Sequence, residues 1–232
     1  MRASGSISIS DPPLAGYYLG THLAKVVDLN DPDNLGRVKV KVLAFDGITD
    51  HNAEIWARVS TPFAGNNRGA FLIPDVGDEV LITFVQGDSR LPIVVGGLWN
   101  GNHPPPESIS GGRNLLKVIR SKNGVKITLD DNDGQEKFIA ETPGGQKLTL
   151  KDGPGAVTIE DSNGNSIKLE SAGITITASA KVTVNASQVA VSAGMVQVDS
   201  AMSRFSGVVQ CDTLIATSVV SSSYTPGAGN IW

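Results

Sequence analysis

The sequence predicts an all-β protein in two parts, a small Greek-key barrel of the OB type followed by an intertwined, triple-stranded β-helix built from three chains. Three observations carry this. Residues 18–103 are filled with short alternating segments punctuated by Gly, Asp, Asn and Pro. From about Leu115 onward the alternating segments repeat, first across obvious turns and then at an interval of seven. The chain of 232 residues holds 26 Gly and 12 Pro but only 6 Phe, 3 Trp and 3 Tyr, which gives many turns and few side chains bulky enough to fill a thick core.

Residues 1–17 are rich in Ser, Gly and Pro and read as a flexible N-terminal arm. The arm lacks the charged and apolar parts of a secretory signal, and no stretch is apolar enough for a transmembrane segment, so export is expected through lysis or carriage by a machine. Residues 18–103 form the barrel, with strand candidates Tyr18–Leu29, Gly36–Leu43, Glu54–Ser60, Ala70–Ile73, Glu79–Phe84 and Pro92–Leu98. Turn clusters such as Asn30-Asp31-Pro32-Asp33-Asn34 separate them. Three prolines, Pro104 to Pro106, open a stiff linker over 104–114. The needle follows over 115–223, and 224–232 is a tip segment.

Within the needle, turns fall at Asn123-Gly124, Asp133-Gly134, Gly144-Gly145 and Asn163-Gly164. Apolar pairs then fall at Ile167 and Leu169, Ile174 and Ile176, Val182 and Val184, Val189 and Val191, and Val196 and Val198. A coiled coil would space such residues three and four apart on good helix formers. These lie two apart, are mostly β-branched, and sit among Thr, Ser, Asn and Gln, which is a strand with one dry face. Seven or eight residues supply one strand and one corner, too little for a coil of a single-chain β-helix at some twenty residues or more. Three chains each giving one face close the prism, and the five pairs become the trimer core. A lone chain would expose that stripe, so the fold requires a homotrimer. Roughly twelve strands at about 4.8 Å each predict a needle on the order of 60 Å with interchain hydrogen bonds along its length.

The chemistry of sites is sparse. A formal charge of −4, from 19 basic and 23 acidic residues without a basic run, argues against specific nucleic-acid binding. Cys211, the one cysteine, reads as a small buried apolar residue. Asp130, Asp131 and Asp133 with Gly134 miss the calcium-loop spacing and read as solvated turn residues. His51 near Asp50 and Glu54 has no nucleophile beside it. Gly153-Pro154-Gly155 lacks the Lys and Ser/Thr of a phosphate cradle, and Asn185-Ala186-Ser187 is a glycosylation sequon inside an expected strand. Trp56 and Trp99 read as barrel core or interchain packing. The expectation is a protein without catalytic, metal or cofactor-binding residues, and not an enzyme.

Pro74-Asp75-Val76-Gly77-Asp78-Glu79-Val80-Leu81-Ile82, then Phe84, Gly87-Asp88, Pro92 and Val94-Val95-Gly96-Gly97-Leu98-Trp99-Asn100, closely resemble the OB domain of contractile-tail spike proteins. These are the phage baseplate assembly protein V group, central spikes of contractile phages and the VgrG proteins of type VI secretion. Ser121 to Gly134, Thr142 to Gly145 and Asp161 to Ile167 look like the start of their β-helix. The resemblance implies a membrane-piercing needle attached to a baseplate hub, here in a split form without the hub or lysozyme domain. It implies a location in a virion tail baseplate or an injection particle assembled in the cytoplasm and later extracellular. The three histidines, His22, His51 and His103, precede the needle, so the iron-holding His-x-His of some short spikes does not carry over.

Tyr224, Pro226, Ile231 and Trp232 put apolar side chains at the C-terminal end. They either fold back on their own trimer or form a platform for a PAAR-type tip protein. Two rival functions share parts of this pattern: an OB module for oligonucleotides or glycans, and a trimeric fibre or adhesin. The acidic balance and few aromatic platforms weigh against the first, and the lack of a globular head against the second.

Overall fold

A computed structural model describes residues 18–45, 54–153 and 157–223. The chain divides into two units at Lys181 and Val182.

The first unit opens with the barrel. Its strands are β1 (Thr21–Asp28), β2 (Val38–Val42), β3 (Glu54–Val59), β4 (Ala64–Gly65), β5 (Arg68–Gly69), β6 (Glu79–Phe84) and β7 (Pro92–Leu98). Five of them close in the order β1-β2-β3-β7-β6, with β3 and β7 parallel and the other pairs antiparallel. Alternation sends Ala24 and Val26, Val38, Val40 and Val42, Ala57, Val80, Ile82 and Phe84, and Val94 inward. Small and β-branched side chains fill so narrow a barrel without large aromatics in its centre. Tyr18, His22 and Phe84 stack against one another where β1 begins.

Strand direction sorts the connections to two ends. The start of β1, the 3-10 turn Leu43–Phe45 and the turn Val85–Gly87 lie at one end. Loops 29–37 and 60–78 and the exit after Leu98 lie at the other, the exit end. There Asp31 accepts backbone N–H bonds from Asp33, Leu35 and Arg37 and a two-pronged contact from the Arg37 guanidinium. This holds the long β1–β2 loop in one conformation.

The expected strand at Ala70–Ile73 is not formed. That stretch carries no strand, only Ala70 being tied there, to Phe63 and Thr61, and the short β4–β5 hairpin stands before it. Neither tryptophan is barrel core. Trp56 lies on the outer face under Arg37 and Lys39, and Trp99 is 70% exposed just past β7.

The rest of the unit is one seven-stranded antiparallel meander: β8 (Leu116–Arg120), β9 (Lys126–Asp130), β10 (Lys137–Glu141), β11 (Lys147–Lys151), β12 (Val157–Glu160), β13 (Ser166–Glu170) and β14 (Gly173–Thr177). Every neighbour pair is consecutive in sequence. This corrects the expectation that needle strands pair between chains throughout, because in this stretch the hydrogen bonds are made within one chain. Hairpins are cheap to close when a turn of a few residues reverses the strand, so the sheet assembles locally. One turn design recurs along one edge, at Ser121–Val125, Thr142–Gln146 and Asp161–Asn165, each closed by an N–H of its first residue on the carbonyl of its last. Lys122 reaches Asp75 at 3.5 Å and so joins the first of these turns to the exit end of the barrel.

The second unit, residues 182–223 as described, carries no strand and has every residue exposed. Of the roughly twelve strands expected, seven pair within the described chain, and the stretch from Val182 on has no partner strand among the described residues. Asn185-Ala186-Ser187 is not inside a strand, and Cys211 is exposed rather than buried.

Candidate assembly surface

Cross-strand register decides which side chains of the meander share a face, since directly opposite residues point the same way. One row runs Ile119, Ile127, Ala140, Leu148, Ile159, Ile167, Ile176. The row beside it runs Lys117, Leu129, Phe138, Leu150, Val157, Leu169, Ile174. Apart from Lys117 at the start, both rows are apolar from β8 to β14.

The opposite face is polar. Its middle row after Val118 is Thr128, Ile139, Thr149, Thr158, Lys168 and Thr175. Beside it Lys137 pairs with Asp130 and Lys147 with Glu160, both at 3.6 Å. The segment after the barrel lies over the first strands of this face, where Lys126 meets Glu107 at 2.6 Å. Trp99, Pro106, Ile109, Leu116 and Val118 line a hollow of about 740 Å³ at that junction.

Among the described residues of the first unit nothing covers the apolar face. Ile174 is 70% exposed and Ile176 62%, and Leu129, Leu150 and Ile159 are also exposed. Seven strands about 4.8 Å apart and about 17 Å long make a face on the order of 500 Å². A soluble monomer rarely leaves so large a contiguous apolar surface open to water. Uncovered, it makes a site for packing, with no group positioned for proton transfer or nucleophilic attack.

Of the residues expected in a shared core, Ile167, Leu169, Ile174 and Ile176 are brought together here, Ile167 opposite Ile176 and Leu169 opposite Ile174. Val182, Val184, Val189, Val191, Val196 and Val198 lie in the second unit, all exposed. Tyr224, Pro226, Ile231 and Trp232 lie outside the described residues, as do Asp50, His51, Pro154 and Gly155. The sequence reading missed the part of the face that runs from Ile119 to Ile159. Its signal was present in Lys126-Ile127-Thr128-Leu129 and Lys147-Leu148-Thr149-Leu150, which alternate as cleanly as the later pairs.

Aspartates shape the turns. Asp131 pairs with Lys117 and Asp133 with Arg113. Asp161 binds the side-chain amide and backbone N–H of Asn165 and the N–H of Asn163. Those bonds, the Asn165 amide foremost, hold its carboxyl down to about 2. Among the described residues no group of His, Cys, Asp or Glu could hold a metal ion, and no helix is long and apolar enough to cross a membrane.

Comparison with known families places a type VI secretion system/phage-baseplate injector OB domain over residues 22–99. A phage baseplate V C-terminal trimerisation domain matches residues 137–201, from β10 into the second unit. The chain is 34% identical to the type VI secretion system spike protein VgrG4b of Pseudomonas aeruginosa over 46% of its own length and 14% of that protein. To VgrG3 of Vibrio cholerae it is 35% identical over 46% of this chain and 11% of that one. To VgrG1b of Pseudomonas aeruginosa it is 30% identical over 51% and 17%. The chain thus matches less than a fifth of the length of these relatives.

Proposed function

The chain belongs to the phage baseplate V and type VI spike family, and on that premise we propose that it is the structural central spike of a contractile injection machine, acting as a homotrimeric needle. The uncovered apolar face of β8–β14, continuous with the matched trimerisation domain, is the observation that carries this reading. Three such faces turned to a common axis remove their apolar surface from water and leave Lys137, Lys147 and Lys168 outside.

In this reading Val182 to Val198 continue the core, with backbone groups that have no partner strand in their own chain paired between chains. The barrel end where β1 starts docks on the baseplate hub. Tyr224, Pro226, Ile231 and Trp232 form the platform for a PAAR-type tip protein. Sheath contraction drives the rod against a target envelope, so the work is mechanical and needs no catalysis. The particle is assembled in the cytoplasm and acts outside the cell.

Light scattering on the full chain tests the core claim. The expected mass is three times the 24.2 kDa of one chain, and a folded monomer at micromolar concentration overturns it. Deleting Tyr224–Trp232 is expected to abolish capture of the tip protein with the trimer mass unchanged; undiminished capture removes the tip assignment.

A further inference from the structure

We infer that the exit end of the barrel carries a second contact between copies, an apolar platform of Leu35, Phe63, Phe71 and Leu72 that packs on the needle base of a neighbouring chain. This rests on the trimeric reading above.

The four side chains are 60–79% exposed, on two loops that are themselves firmly built. Asp31 fixes the loop that carries Leu35. The other is tied by the Thr61 hydroxyl on the Ala70 carbonyl at 2.6 Å and the Ala70 N–H on the Phe63 carbonyl at 3.2 Å. Phe71 bridges the two, its ring edge 3.6 Å from where a side chain on Gly36 would start. Large apolar groups held in place and left facing water mark a surface that meets another protein.

Position identifies the occupant. The platform lies at the end where β7 leaves the barrel, opposite the start of β1 and the hub of the proposed assembly. The chain's own first needle turn comes to the same end through Lys122 and Asp75, three residues past Leu72. The apolar assembly face begins in that hairpin, at Ile119 and Ile127. Around a threefold axis the neighbour's first hairpin stands at the same height, so the platform continues the surface along which the copies already meet.

Single cysteines in the full chain test this, in a Cys211→Ser background: Leu72→Cys at the platform, and Leu19→Cys, 66% exposed at the opposite end, as the reference. In trimers of confirmed mass, maleimide is expected to label the cysteine at 72 at least about tenfold more slowly than that at 19, because an interface core excludes water and reagent. Phe63→Cys, expected to be protected likewise, replaces Leu72→Cys if that variant fails to fold. Equal labelling in a confirmed trimer overturns the platform assignment and leaves the trimer standing, and so does protection gained only on adding the hub. A monomeric wild-type mass removes both.

Discussion

Single residues set the turns, and two of them make sharp predictions. Gly145 has φ +86° and a Cβ there would stand 3.1 Å from the Ser162 side chain of the next turn; Gly124 has φ +91° and the same closeness to Pro143. The recurring turns thus stack so closely that a Cβ on either glycine makes its neighbour give by a few tenths of an ångström. Gly145→Ala is expected to destabilise the meander by about 1–2 kcal/mol per chain, through left-handed backbone strain and the clash together. Gly96→Ala, with open space around it and ordinary φ, changes stability by less than about 0.5 kcal/mol. Thermal unfolding of the two variants side by side decides it. The second residue is Asp31, whose carboxyl the Arg37 guanidinium, helped by backbone N–H groups, holds well below its ordinary 3.8. Its folded value is depressed, so the stability it gives is fully present above about pH 4 and is lost as pH falls below that toward the folded value. Asp31→Asn therefore lowers barrel stability at pH 7 and flattens its fall between pH 4 and 2; an unchanged acid profile refutes the role. The sequence marks Asp31 and Asp33 only as turn punctuation. Alternation cannot reveal which aspartate of Asn30-Asp31-Pro32-Asp33 will be enclosed by its own loop, because that depends on where Arg37 returns.

Elements carry the amphipathic pattern, and here the sequence was most readable. Five barrel strands lie inside or at the bounds expected from Gly, Asn, Asp and Pro punctuation, since those residues stop strands for local reasons. Ala70–Ile73 misleads because Phe71 and Leu72 look like strand residues, yet both side chains are exposed and the segment is tied only at Ala70. Which strands share a face is a matter of register, and register follows from turn length. The five-residue turns put Ile119 opposite Ile127, Ala140 opposite Leu148 and Ile159 opposite Ile167, a relation that strand-by-strand reading does not contain. The faces then predict opposite outcomes for adjacent positions. Ile159→Lys places three charges in the shared core and is expected to abolish the trimer, because an unpaired buried charge costs several kcal/mol. Thr158→Lys, one residue away on the polar face, leaves it intact. Light scattering on both settles the face assignment, and a trimeric Ile159→Lys protein would reject it.

At the scale of the whole molecule the two units differ in where their hydrogen bonds are satisfied. From Leu116 to Thr177 the ladder is closed within the chain, so copies meet there through side chains. From Val182 to Ser223 no ladder exists within the chain, and in the proposed trimer the backbone itself becomes the contact between copies. Side-chain packing yields to detergent, which solvates apolar surface. An interchain ladder opens only if three chains unwind together, and that resistance is kinetic. A chain ending at Lys181 is therefore expected to remain trimeric by light scattering in buffer yet run as a monomer on an unheated SDS gel. The full chain runs as a trimer on that gel until heated. If the shortened chain resists SDS as well as the full one, the interchain ladder is not the source of the needle's resistance, and the core of β8–β14 must be holding the copies together alone.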